Sequence, residues 1–305
     1  MVVVAVVVGV ALLGALVAGL TAWRLPNFDP AAPAAPTKTI RHEVEVHPGL
    51  RGVIRSRLDA TTLTGLALTV ALTIVLVGVI AIGSLLVMVQ HNAGLARYDL
   101  SAARWGAKHA TTGSTKFLRD VSLLGGTPVM IVVAIAAAIE ETIRTKTRAV
   151  VEFLVVVIGG ELILQNVTKL IVDRARPDID RLTGFSGSSF PSGHATTAAA
   201  TFAAIALLIG RGRSRRTKSL LAAAAAAIAV AVATTRVLLG VHWLTDVVAG
   251  LALGWAWFAV SSIAFGGRVL VFGEPVEEAE YIEQSTVERG SRPSETGRSE
   301  AARSG

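Results

Sequence analysis

Long apolar runs separated by short polar segments dominate the 305-residue chain. Seven runs of about 20 apolar residues carry few charges, and this is the length that crosses the hydrocarbon core of a bilayer. The runs cover 2–23, 62–90, 121–140, 149–172, 195–210, 219–239 and 243–265. Gly125, Gly126 and Pro128 weaken the third run, although membrane helices tolerate such residues better than soluble helices do. The pattern predicts an all-α, polytopic membrane helical bundle.

Two segments do not follow this pattern. Residues 24–60 contain prolines among alanines, which is typical of a linker, and residues 266–305 have too few apolar residues to fold. We therefore expect an N-terminal transmembrane helix at 1–23, a linker at 24–60, a membrane domain at 62–265 and a disordered tail at 266–305. Residues 1–23 lack the basic start of a secretory signal peptide, and cleavage as a signal is the alternative.

The composition narrows the possible functions. The net charge of +7 comes from basic residues in short loops between apolar runs, so it indicates orientation in the membrane and contact with anionic lipid rather than nucleic acid. The absence of cysteine excludes disulfides and thiolate metal sites. Segment 211–218 carries five basic residues and no acidic one, which predicts a cytoplasmic loop.

The run 149–172 carries polar residues at helical spacing. Glu161, Gln165 and Lys169 recur at intervals of four, and Arg176 follows Lys169 by seven. This spacing predicts that the four residues share one helical face. Because charged groups in a membrane span rarely face lipid, that face should line a polar interior, with Glu161 as a structural partner of an interior donor.

A second polar group opens the run 195–210. Proline suits the first turn of a helix and serine its capping position, so Pro191 and Ser192 predict a helix start. The backbone N–H groups of Ser192, Gly193 and His194 should then point toward an anion. His194 adds a side chain that titrates near neutral pH. The stretch predicts an oxyanion site beside an acid or base.

A third group surrounds the turn at Gly240. His242 and Asp246 are four residues apart, so the carboxylate can hold one ring nitrogen and leave the other as a nucleophile or base. A proton relay and a structural pair are the alternatives for this pair alone. Counting spans from the loop 211–218 places all three groups at one extracytoplasmic interface. Several cations and two histidines at one interface favour phosphate chemistry.

These motifs together resemble those of the type 2 phosphatidic acid phosphatase superfamily, which shares its core with vanadium haloperoxidases. The resemblance covers 149–265 and implies a six-helix core that begins at residue 62, with 1–23 as an extra helix. Thr235 stands where the family usually has serine; it keeps the hydroxyl, and its methyl group could tighten the pocket. The matching motifs are Lys169-x6-Arg176-Pro177, Pro191-Ser192-Gly193-His194 and Arg236-x5-His242-x3-Asp246.

The resemblance also implies roles for these residues. His242 would attack phosphorus to form a phosphohistidine, His194 would protonate the leaving oxygen, and Asp246 would orient His242. No metal or other cofactor is expected, since cations would take a metal's place. The expected phosphate-binding residues are Lys169, Arg176, Ser192, Gly193 and Arg236. The carboxylates of Asp173, Asp178 and Asp180 are expected to pair with Arg174, Arg176 and Arg181.

The predicted function is an integral membrane phosphatase acting on a lipid phosphate or diphosphate, either an isoprenoid diphosphate or a phosphatidate-like lipid. We expect a multi-pass protein of the cell membrane with an extracytoplasmic active site and no nucleic-acid partner. A lipid phosphotransferase with the same intermediate and a non-catalytic lipid-binding protein are the alternatives. Segment 91–120 is predicted to lie on the membrane surface, with a cap over the active site as the alternative.

Overall fold

The computed structural model describes residues 1–24, 63–145, 149–179, 181–184, 187–211 and 213–266. Within these ranges every regular element is helical, which confirms the all-α prediction. The expected linker and tail lie almost entirely outside the described residues. The helices are α1 Val2–Arg24, α2 Leu63–Gln90, a 3₁₀ helix Gly94–Tyr98, α3 Asp99–Lys108, α4 Thr112–Leu123, α5 Thr127–Thr145, α6 Ala149–Val172, α7 Gly193–Gly210, α8 Arg215–Leu238 and α9 Leu244–Gly266.

Six described helices, α1, α2 and α6 to α9, are long and apolar enough to cross a bilayer. The pair α4 and α5 meets the same criterion only together, and it bends by 48° at its break. The predicted run 121–140 is therefore wrong in its bounds, because it straddles this break. The break brings Gly125 close to α7, where an added Cβ atom would lie 2.7 Å from the carbonyl oxygen of His194. The chain is a multi-pass membrane protein.

Helix α7 forms the centre of the bundle, and its alanines and threonines are largely buried. Small side chains allow neighbouring backbones to come close to it. An added Cβ atom would lie 2.7 Å from the Ser192 carbonyl oxygen at Gly250, and 2.4 Å from that of Thr196 at Gly254. This approach sets the start of α9 beside the start of α7.

The polar segment after α2 packs on one end of the bundle, and its predicted position on the membrane surface stays a prediction. Leu118 is fully buried in a cluster with Val3, Val7 and Leu239. Gly106 lies so close to α8 that an added Cβ atom would be 2.6 Å from the carbonyl oxygen of Leu238. Helices α3 and α4 therefore cover the end where α8 finishes and α9 begins.

Replacing Gly254 by alanine should destabilise the fold, because the new methyl group would push α9 away from α7. We expect a loss of about 1–3 kcal/mol, the usual effect of overpacking. Gly83→Ala in α2 is the matched control, since nothing lies within 4 Å of its Cβ position. Unfolding in mixed micelles measures both variants. Equal stability of the two would contradict the close α7–α9 packing.

Candidate active site

A cavity of about 410 Å³ opens where α6 ends, α7 begins and α8 ends. Among the described residues that line it there is no aspartate or glutamate, so its wall carries only positive charge. Ser192 and Asp246 are buried and lie behind this wall. The other predicted site residues all line the cavity: Lys169, Arg176, Gly193, His194, Arg236 and His242.

His242 lies between a carboxylate and a cation. Its Nδ1 atom faces Oδ2 of Asp246 at 3.5 Å, which is longer than a hydrogen bond, and its Nε2 atom lies 3.2 Å from a terminal nitrogen of Arg176. Because a guanidinium can only donate, Nε2 must accept in that contact. The proton of the neutral ring is then on Nδ1, and the lone pair of Nε2 faces the cavity. This is the tautomer that a nucleophilic histidine requires.

Asp246 is held by groups from three parts of the chain. Its Oδ1 atom accepts a hydrogen bond from Arg174 at 2.6 Å. Its Oδ2 atom accepts from the hydroxyl of Ser189 and from the backbone N–H of Trp243, the latter at 2.9 Å. These donors stabilise a fully buried carboxylate that would otherwise be costly to ionise. Asp246 is thus fixed as an anion behind His242.

Asp99 completes this network and was not predicted. Its Oδ2 atom accepts from Arg174 at 2.8 Å and from the Thr245 hydroxyl at 2.7 Å, while Oδ1 accepts from the Thr245 backbone N–H at 2.8 Å. The prediction that Arg174 pairs with its neighbouring aspartates is wrong, since Arg174 bridges Asp99 and Asp246. No motif in the sequence marks Asp99. The only indication in the sequence is that Asp99 is an acidic residue within the mostly basic segment 91–120.

Arg176 reaches the cavity from a loop. The prediction that it continues the helical face of α6 is wrong, because α6 ends at Val172 and Asp173 takes a left-handed φ of 39°. The Arg176 guanidinium donates to the carbonyl groups of Gly187 and Val241 at 2.9 and 2.8 Å. Burial lowers the pKa of Arg176. The loop backbone therefore fixes this cation against His242.

The start of α7 differs from the prediction in its backbone. The helix begins at Gly193, with Ser192 as its N-cap and Pro191 before it. The N–H group of Ser192 donates to the Asp246 carbonyl oxygen at 3.0 Å, so it is not directed at an anion as expected. The Ser192 hydroxyl is buried without a partner among the described residues. An added Cβ atom at Gly193 would lie 2.4 Å from Oε1 of Gln165 and 3.3 Å from Nζ of Lys169, which explains the glycine.

Arg236 enters the cavity from the end of α8. One terminal nitrogen donates to the Ser122 hydroxyl at 2.8 Å, and its buried Nε atom has no partner among the described residues. The hydroxyl of Thr235 donates to the Val232 carbonyl oxygen at 2.6 Å. Thr235 therefore holds the helix backbone and does not contact the cavity, while Ser122 of the covering helix α4 positions Arg236.

A polar layer lies beneath the cavity. Glu161 is fully buried and accepts from the Thr197 hydroxyl at 2.8 Å and from the Gln165 amide at 3.1 Å. Thr197 and Gln165 line the cavity, whereas Glu161 does not. Glu161 is thus the structural partner that we expected. Among the residues that the structure describes, no three histidine, aspartate or glutamate side chains gather as metal ligands would.

With this geometry in place, comparison with known proteins identifies the family. Residues 149–269 match the family model of the PAP2 superfamily. This part of the chain belongs to the PAP2 superfamily. The match confirms the resemblance inferred from the three motifs, all of which fall inside the PAP2 region. The segment with Asp99 and Ser122 lies before it.

Relatives of this chain are lipid phosphatases by name. Lipid A 1-phosphatase of Rhizobium johnstonii is 39% identical over 131 residues, which are 39% of this chain and 49% of the relative. Phosphatidylglycerophosphatase B of Bacillus subtilis is 37% identical over 103 residues, which are 33% of this chain and 51% of the relative. The chain thus spans about half the length of the curated relatives that it matches.

One solved structure shares the fold beyond the PAP2 region. The crystal structure of a transmembrane PAP2 type phosphatidylglycerolphosphate phosphatase from Bacillus subtilis superposes with a TM-score of 0.58 at 25% identity. The superposition covers 66% of this chain and 98% of that one. The fold similarity therefore includes helices that precede residue 149.

Asp99→Ala should destabilise the protein, because it removes a buried carboxylate and leaves the partly buried guanidinium of Arg174 with one carboxylate fewer. Breaking a buried ion pair on one side typically costs about 3 kcal/mol or more. Asp120→Ala, which removes an exposed carboxylate from the same covering segment, is the control and should change little. Unfolding in mixed micelles compares the two. Equal stability of Asp99→Ala and the parent would refute the bridging role.

His242 should stay neutral far below the usual range, since burial lowers the pKa of His242 to about 4. Its nucleophilic form is then fully present at neutral pH and is lost only as the pH falls toward 4. In a protein with labelled histidine rings, the NMR signal that disappears in His242→Ala identifies this ring. We expect that signal to keep its neutral chemical shift from pH 8 down to pH 5. A midpoint near 6.5 would contradict the prediction.

Proposed function

We propose that this protein is an integral membrane phosphatase that removes phosphate from a lipid phosphate or diphosphate. The observation that carries the proposal is the charge of the cavity wall. Lys169, Arg176 and Arg236 meet two histidines there, and no carboxylate is among the described lining residues. A desolvated, purely cationic wall favours a phosphoryl group whose oxygens gain charge in the transition state. The names of the relatives support a lipid as the carrier of that phosphate.

In the proposed reaction the Nε2 atom of His242 attacks phosphorus. A nitrogen–phosphorus bond forms while the bond to the leaving oxygen breaks, and His194 gives its proton to that oxygen. Water then attacks the phosphorus of the phosphohistidine, so that an oxygen–phosphorus bond forms while the nitrogen–phosphorus bond to His242 breaks. His194 takes a proton from the water, which releases phosphate and restores both rings. Asp246 stabilises the positive charge on His242 during both steps.

The phosphoryl oxygens would be bound by groups already directed at the cavity. Lys169, Arg176 and Arg236 supply the charge, and the N–H of Gly193 at the start of α7 supplies a backbone donor. Ser192 adds a hydroxyl that has no other partner in the described part of the chain. These cations do the work that a metal ion performs in other phosphoryl-transfer enzymes, so the scheme uses no metal.

The substrate phosphate should lie at headgroup level. The cavity occupies the end of the bundle opposite the basic segment 211–218, since α7 runs from Gly193 in the cavity wall to Gly210 beside that segment. By the positive-inside rule the basic segment is cytoplasmic, so we place the site on the extracytoplasmic side of the cell membrane. Isoprenoid diphosphates and phosphatidate-like lipids are the proposed substrates.

Phosphate release from a panel of purified lipid phosphates, measured with protein in detergent, tests the proposal. His242→Ala should abolish turnover, and Arg236→Ala should lower kcat by about 10²–10³, the usual effect of losing one donor to a developing oxyanion. His109→Ala, which removes an exposed histidine outside the cavity wall, is the matched control. Release at the parent rate by His242→Ala would refute the assignment.

The same assay separates the two alternatives. A substrate carrying labelled phosphate yields labelled inorganic phosphate if water is the acceptor, and a labelled second lipid if the protein is a phosphotransferase. A lipid-binding protein without catalytic activity would retain the substrate and give neither product. Transient label on the protein, absent in His242→Ala, would support the phosphohistidine in the first two cases.

A further inference from the structure

A second cavity, of about 790 Å³, lies in the half of the bundle that is remote from the catalytic cavity. The two cavities share no lining residue. Helices α1, α7, α8 and α9 form its walls, and α1 lies outside the region that matches the PAP2 superfamily. Its volume is in the range of about 300–1,000 Å³ that is common for small-molecule sites.

Helix α1 forms one wall of this cavity and packs closely against α8. It runs antiparallel to α8, with Gly14 against Val230 and Gly19 against Ala223 at added-Cβ distances of 3.0 and 3.2 Å. The hydroxyl of Ser219 donates to the Gly19 carbonyl oxygen at 2.6 Å. Small residues and an interhelical hydrogen bond are the usual means of helix association in membranes.

The cavity opens sideways toward the surrounding lipid. Leu13 and Val17 of α1 line it and are 62% and 59% exposed, while Trp255 and Phe258 of α9 form the apolar opposite wall. Because these helices span the membrane, the neighbouring molecules at this opening are lipid tails. The cavity therefore has the apolar lining and the access that an acyl chain requires.

One end of the cavity is basic. Arg211, Arg215 and Lys218 line it, and no aspartate or glutamate is among its described lining residues. The guanidinium of Arg215 lies 5.8 Å from the ring centre of Trp23, and tryptophan is enriched where a membrane meets water. At its apolar part, the Ser262 hydroxyl is buried without a partner among the described residues. An apolar groove that ends in three cations is complementary to an anionic amphiphile.

We propose that this cavity binds one anionic phospholipid from the leaflet opposite the catalytic site. An acyl chain lies between α1 and α9, and the lipid phosphate contacts Arg211, Arg215 and Lys218. The bound lipid fills the space between α1 and α9 beside the direct contact of α1 with α8. This site depends on the membrane embedding of the chain and not on the proposed phosphatase activity, so each can fail without the other.

Native mass spectrometry of the full-length protein tests the site. The protein is mixed with phosphatidylglycerol or with phosphatidylcholine of the same acyl chains. We expect one phosphatidylglycerol to be retained per chain, with phosphatidylcholine retained about tenfold less, because Lys and Arg near a membrane surface attract anionic headgroups. The Arg215→Ala/Lys218→Ala variant should lose that preference. Arg213→Ala/Arg216→Ala removes the same charge from the same basic segment without changing a residue that lines the cavity, and it should keep the preference.

A second pair of variants tests the groove itself. Ala206→Leu/Ala222→Leu fills the cavity while every basic residue remains, so retention of phosphatidylglycerol should fall about tenfold. Ala224→Leu, on the exposed face of α8, is its control. Retention by the filled variant, equal retention of the two lipids, or equal loss in Arg213→Ala/Arg216→Ala would each overturn the proposal. Phosphate release from a purified lipid phosphate, in detergent without added phosphatidylglycerol, is measured in parallel and should be unchanged.

Discussion

One backbone hydrogen bond connects the two halves of the site, from the N–H of Ser192 to the carbonyl oxygen of Asp246 at 3.0 Å. It ties the start of α7 to the start of α9. The bond can form because α9 presents Gly250 and Gly254 to the α7 backbone, where any side chain would separate the helices. His194 and His242 line a common cavity only because these two helix starts are adjacent.

The buried carboxylates and the cations of the cavity wall lie in two separate layers. Asp99 and Asp246 lie on the far side of His242 and share the guanidinium of Arg174. On the near side, every charged side chain among the described residues that line the cavity is a cation. Isolated buried charges are expensive, so each carboxylate is held by several donors. The His242 ring lies between the two layers. Its Nδ1 atom faces the carboxylate of Asp246, and its Nε2 atom faces the cation of Arg176. This arrangement directs the ring's lone pair into the cavity.

The sequence predicted the spans and the motif residues because both follow local rules. The run 149–172 coincides with α6, since apolar length and helical period are properties of contiguous residues. The partners of those motif residues were harder to predict. Arg174 has several aspartates nearby in sequence but binds Asp99 and Asp246, and Ser122 meets Arg236 from another helix. Such contacts are set by how helices pack, and no spacing rule connects residues so far apart.

Backbone conformation accounts for the remaining differences. The break between α4 and α5 could be located only to within a few residues, because glycine and proline permit a break without fixing its place. Arg176 was placed on the α6 face because the end of an apolar run at 172 does not by itself show whether the helix continues beyond it. In both cases the chain leaves the helix to bring a group to the cavity, so local helical preference gives way to tertiary contacts.

The covering segment formed by α3 and α4 also changes what counts as the functional unit of this chain. Asp99 and Ser122 both precede residue 149, yet they position Arg174 and Arg236 inside the PAP2 region. A fragment limited to residues 149–269 would contain each motif, but it would lack Asp99 and Ser122, which position Arg174 and Arg236. The part of this protein needed to build the site therefore extends beyond the region of the family match.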